Sequence, residues 1–93
     1  VVNIQVDQQV SYLTGRLSQD EVKQLWPQRK TLIAADCQSL NLSKLTYSDS
    51  AGVAFLLELV AVNHLQGGKL VMCNAPAQLT QLIHLYDLHD FFL

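Results

Sequence analysis

Val2, Ile4 and Val6 alternate with Asn3 and Gln5, the two-residue period of a strand with one face in a core. Asp7-Gln8-Gln9 reads as a turn, and Val10 to Thr14 as a second strand and hairpin partner. Gly15 is expected to break that pattern. Ser18-Gln19-Asp20-Glu21 then has the spacing of a capping box, in which the Ser hydroxyl and the Glu carboxylate satisfy each other's free backbone N–H groups. The helix it announces has Val22, Leu25 and Trp26 on its apolar side, followed by Leu32 and Ile33. Pro27 inside this stretch forces a kink, or a restart with Pro27 in the first turn.

Ser39 to Leu42 reads as a short inner strand, and Ser43 to Asp49 as a polar connection interrupted by Leu45 and Tyr47. A second helix is expected from Ser50 to about Gln66, where Gly67-Gly68 ends it. Lys69 to Cys73 has the continuous apolar character of a strand buried on both faces. Pro76 suits the first turn of a third helix with Leu79, Leu82, Ile83 and Tyr86 on one side. The tail from Asp87 carries Phe91, Phe92 and Leu93, which either pack back onto the sheet or continue onward. The order β-β-α-β-α-β-α implies one α/β domain over residues 1–93, with a mixed, mostly parallel sheet of about four to five strands and about three to four helices.

Composition narrows the function classes. Apolar residues make up 49% of the 93, enough for one core, and only 15% are charged. Six Lys and Arg against eight Asp and Glu leave no basic stripe for nucleic acid or an anionic membrane surface. The longest apolar run, Val53 to Val62, is too short to span a bilayer and is interrupted by Glu58. Cys37 and Cys73 are isolated and read as reduced thiols, and with no signal or lipidation motif in these residues the cytosol is the expected setting.

Catalytic and metal patterns do not assemble. His84, Asp87, His89 and Asp90 are close in sequence, but a His spacing of five does not place both rings on one helix face. No phosphate-binding loop precedes a helix, and nothing surrounds Ser50 with a nucleophile elbow. Neither an enzyme, a cofactor nor a metal is expected.

The informative segment is the turn Asp49-Ser50-Ala51-Gly52. Asp49 and Ser50 suit a helix start, where free N–H groups and the positive dipole end await an acceptor. Ala51 and Gly52 are small enough to let another backbone or a phosphate approach. An ordinary N-cap followed by small residues is the competing account. Along the helix, Val53, Leu56, Leu57 and Val60 share one face and Phe55, Leu59 and Val62 lie roughly opposite, beside Glu58. Neighbouring helices would cover that second stripe, or it would form a docking face continuous with Ser50.

The strand and loop leading to Asp49-Ser50-Ala51-Gly52-Val53, then an apolar helix, a Gly-Gly stop and a strand, resemble the STAS domain signature over almost the whole chain. The family includes anti-sigma factor antagonists, whose serine after the Asp is phosphorylated by a partner kinase; the resemblance places Ser50 there. Ala51 stands where those members have a second serine, and Asn41 where many have Asp. Gly15-Arg16-Leu17-Ser18-Gln19-Asp20 with Leu25-Trp26, and Leu85-Tyr86-Asp87-Leu88, resemble the MlaB group of STAS domains. That resemblance implies an accessory subunit bound to the ATPase subunit of a phospholipid-transport ABC complex at the Gram-negative inner membrane, which maintains outer-membrane lipid asymmetry. The partner-binding residues expected from these lines are Asp49, Ser50, Ala51, Gly52, Phe55 and Val62, with Ser50 a candidate switch.

Overall fold

The computed structural model describes residues 2–88, 90 and 92. Strands β1 (Val2–Asp7) and β2 (Val10–Leu17) form the expected antiparallel hairpin, in an unbroken register from Val2 opposite Gly15 to Asp7 opposite Val10. Its tight turn places Gln8 at φ 57°. Gly15 does not end β2. It sits inside the strand at φ 103°, a conformation that favours glycine, and the chain continues to Leu17.

Helix α1 (Gln19–Leu25) begins at the expected capping box, with Glu21 accepting from both the backbone N–H and the hydroxyl of Ser18. Pro27 produces the restart, a single 3₁₀ turn over Trp26–Gln28. Leu32 and Ile33 therefore lie beyond the helix, in the loop that leads to β3 (Ser39–Asn41). The segment read as a polar connection contains another strand, β4 (Leu45–Ser48). Strands β3 and β4 run one after the other along the same side of β2, both parallel to it. Between them the Asn41 carboxamide oxygen accepts from Ser43 N–H at 2.9 Å, turning the chain locally.

The next helix, α2 (Ser50–Leu65), ends at Gly67, which has φ 87°. Buried Asn63 ties this end to its surroundings: its side chain accepts from Leu70 N–H at 3.0 Å and donates to the Ala35 carbonyl at 3.4 Å. Strand β5 (Val71–Cys73) adds parallel to β3, and helix α3 (Ala77–Leu85) follows with Pro76 as its N-cap. The sheet order is β1-β2-β3-β5, with β4 also on β2. Phe92 bridges to Met72 and so returns the tail to the sheet; His89, Phe91 and Leu93 lie outside the described residues.

The helices cover one face of the sheet. Leu13, Leu40 and Met72 point into a core completed by Val53, Phe55, Leu56, Leu59, Leu79 and Ile83. The opposite face is open and polar. Lys44 Nζ lies 4.9 Å from the Tyr12 ring centre and donates to Gln5, while the Arg16 guanidinium lies 4.3 Å from that of Tyr47. Val71 is exposed and Cys73 half-buried, so β5 is not covered on both faces as its apolar run suggested. Burial nonetheless pushes the Cys73 thiol up and favours its protonated form.

The second stripe of α2 is covered from within the chain. Phe55 is 0% exposed and its ring meets that of Trp26, with centroids 6.1 Å apart. Arg29 stacks over Trp26 at 4.5 Å and pairs with Glu58 at 3.1 Å. Phe55 is therefore a core residue and not a free docking contact. Val62, half-buried on the same helix, is cut off from Ser50 by buried Phe55 and Leu59.

Phe55→Ala is expected to cost about 3–5 kcal/mol of folding stability in urea titrations, the range for truncating a buried aromatic. The hydrogen bonds from Ser18 hold the Glu21 carboxyl below its usual value. The stability this contributes is present above the unfolded carboxyl pKa and is lost as pH falls through the lower folded value. Acid titrations of Glu21→Gln should lack that component of the pH dependence.

Candidate functional site

The site is built where three elements end together. Asp49 is the N-cap of α2, with extended backbone, and its Oδ1 accepts from Gly52 N–H at 2.9 Å. Its Oδ2 accepts from Gln19 N–H, the first residue of α1, at 3.0 Å. One carboxylate thus satisfies free N–H groups at two helix starts, and both positive dipole ends favour its charge. Asp49 is half-buried and both oxygens are engaged, so its work here is internal.

Gly52 is also turned inward. A Cβ there would overlap the Leu17 carbonyl oxygen and the Ser48 hydroxyl. The close approach suggested by its small size is made by β2 and not by another molecule. Leu17 O is backbone and cannot swing aside. Ser48 is fixed from the other direction by α3: the Gln78 amide accepts from Ser48 N–H at 2.9 Å and donates to Ser48 C=O at 2.8 Å. A side chain here does what a neighbouring strand would do.

With Asp49 and Gly52 held inside, Ser50 is presented outward. It is exposed at the first position of α2, and its Oγ lies 2.6 Å from the Tyr86 hydroxyl at the end of α3. Tyr86 is 44% exposed and the adjacent Leu85 72%, while Ala51 is half-buried. The accessible surface therefore runs from the start of α2 across to the end of α3, and not down α2 through Phe55. Tyr86 was legible as one member of an apolar stripe and as part of the Leu85-Tyr86-Asp87-Leu88 resemblance, but not as a partner of Ser50. Its hydroxyl is the signal for a second role, because a Tyr on such a stripe needs a polar partner at its tip.

Chemically the arrangement presents hydroxyls. The hydrogen-bond partner of Ser50 is another hydroxyl and not an imidazole or carboxylate that would draw off its proton. Among the described residues no group of three His, Cys, Asp or Glu side chains could hold a metal ion, and no helix is long and apolar enough to cross a membrane. What the site offers is an exposed serine at a helix N-terminus, hydrogen-bonded to an exposed tyrosine.

A helix-covered, mostly parallel sheet with an exposed serine opening its longest helix defines a small α/β domain. The family described as "Mlab, STAS domain" matches residues 2–93, and the chain belongs to this STAS family. Among solved structures, the anti-sigma factor antagonist SpoIIAA in its unphosphorylated form superposes with a TM-score of 0.62 at 17% identity, over 90% of this chain and 82% of that one. The phosphorylated form of the Bacillus cell fate determinant SpoIIAA gives 0.65 at 14% identity, over 100% and 89%. At these identities the likeness is one of fold. Comparison with curated protein sequences gives no significant match.

Gly52→Ala should cost about 1–3 kcal/mol, since the new methyl meets fixed backbone. Asp49→Ala should lose about 1–3 kcal/mol, more than the usual single cap, because two N–H groups lose their acceptor. Chemical denaturation of both variants checks these values. A neutral result for Asp49→Ala would remove the shared cap as a structural element.

Proposed function

We propose that this chain is a non-catalytic accessory subunit of an ABC-type phospholipid-transport complex. It binds the ATPase subunit on the cytoplasmic side of the inner membrane and supports the assembly and activity of that subunit. The observation carrying this reading is the Ser50–Tyr86 pair, an exposed polar contact that joins two helix ends, with exposed Leu85 next to Tyr86 in the chain. Such a surface combines an aliphatic anchor with hydroxyls that a partner's backbone can engage. The family match over residues 2–93 supports the transporter setting. In this reading Ser50 acts unmodified, as a donor and acceptor at the centre of the contact.

A second reading is favoured by the fold likeness to both phosphorylation states of SpoIIAA. In that reading the chain is an anti-sigma factor antagonist, and Ser50 is phosphorylated by a partner serine kinase. A phosphate adds up to about two negative charges at a helix N-terminus, which tolerates them; it would leave Tyr86 as the donor to Ser50 and oppose a dry interface.

Affinity purification of the tagged chain from its own cell separates the readings. Recovery of an ABC ATPase, with Ser50→Asp weakening its retention at least about tenfold and leaving folding unchanged, is the expected result. Recovery of a serine kinase, with phosphate on Ser50 by mass spectrometry, would overturn it.

A further inference from the structure

Strand β1 lies at one edge of the sheet and, among the described residues, pairs with β2 alone. Elsewhere the sheet margin is occupied at single points: Phe92 bridges to β5 at Met72, and Gln78 pairs with the backbone of β4 at Ser48. Natural sheets guard an open edge with lysine, proline, a bulge or a very short strand. Across its six residues β1 has neither lysine nor proline, and its register with β2 runs without interruption. Val6 is 66% exposed.

The phase of the hairpin determines which groups this edge presents. A two-residue turn closes on the hydrogen-bonded pair Asp7 and Val10, so Asp7, Gln5 and Asn3 direct their N–H and C=O groups toward β2. Val2, Ile4 and Val6 direct theirs outward. Among the described residues these outward groups meet no backbone partner. Antiparallel pairing pits outward-directed residues against each other, and the register that engages all of Val2, Ile4 and Val6 places Ile4 on a two-fold axis. Val2 then faces Val6 of the second copy, and Ile4 faces its own equivalent. On the other face Asn3 meets Gln5 of the second copy.

That register matches the strand to itself on both sides. Val2, Ile4 and Val6 carry the same alternating phase that turns Ile4 toward the helix layer opposite Leu13, so the two copies join apolar to apolar there. On the open face, neutral amides meet neutral amides. No charged residue lies within Val2 to Val6, and Asp7 falls outside the five paired positions. A shift by one residue would set outward groups against inward ones, and a shift by two in either direction would leave one of the three outward-directed residues without a partner in the strand.

We propose that β1 is a self-association edge, through which a second copy of this chain adds antiparallel about a two-fold axis and joins the two sheets into one. The inference is independent of the partner bound at Ser50, which lies at the start of α2. The contact is a single strand pair, smaller than a standard interface, so the dimer is a weak one that populates as concentration rises.

Sedimentation equilibrium of the purified chain up to about 1 mM tests it. The expected result is a monomer–dimer equilibrium that Val6→Lys weakens at least about tenfold, with unchanged circular dichroism. A second measurement fixes the register. In a Cys73→Ser background, Asn3→Cys and Gln5→Cys variants mixed and mildly oxidised should give the covalent heterodimer, because these positions face each other at a non-hydrogen-bonded pair roughly 4.5 Å apart, within reach of a disulfide. Each variant alone should cross-link far less. A monomer throughout the concentration range overturns the proposal, as does a dimer that gives no preferential heterodisulfide.

Discussion

The Asp49 carboxylate is the joint on which this end of the molecule turns. It accepts from Gly52 N–H in α2 and from Gln19 N–H in α1, so two helices that start 31 residues apart begin around one pair of oxygens. A carboxylate between two helix N-termini is well placed, because both dipoles favour its charge and neither N–H has an intrahelical partner. The first turn of α2 can then settle onto the end of β2, which it does only because residue 52 has no side chain. From the far side Gln78 holds Ser48, the residue that leads into the cap. Ser50 faces outward because its neighbours on both sides face inward.

This division of labour shows how much of the site was legible in advance. The segment from Asp49 to Gly52 stood out correctly as a helix start, and its exposed serine lies where a helix-start reading places it. What residue type alone could not reveal was the direction of each contact. A glycine signals that something comes close, but not whether that neighbour is another molecule or the preceding strand. A Phe on a second stripe signals burial, but not by whom; here a tryptophan from the turn after α1 covers it, steadied by Arg29 and Glu58. In both cases the answer came from residues 26 to 35 positions distant in sequence. Tyr86 was obscured for the same reason, since its partner Ser50 lies 36 residues away.

The fold was legible wherever periodicity was regular. The opening hairpin, the capping box, the proline restart, the long central helix with its glycine stop and the last helix all follow from local pattern. Strand β4 was missed because a bulge interrupts its alternation. Gly15 faces Leu45 and Arg16 faces Tyr47, which leaves Thr46 as an extra residue whose hydroxyl donates to the Gly15 carbonyl. Leu45 and Ser48 are consequently both buried while Tyr47 turns to the open face, a spacing of three that no strand template contains. The same bulge explains the unusual backbone at Gly15, which had suggested the end of β2 and not its continuation.

A sheet covered by helices on one side only leaves its other side to meet water directly. Tyr12 and Tyr47 are large flat rings on that side, and left bare they would invite stacking by any passing apolar surface. Each lies instead beneath the charged head of a cation, Lys44 or Arg16, which sets a hydrated group over the ring. The broad face is thereby wetted, and what stickiness the sheet retains is left to its rim.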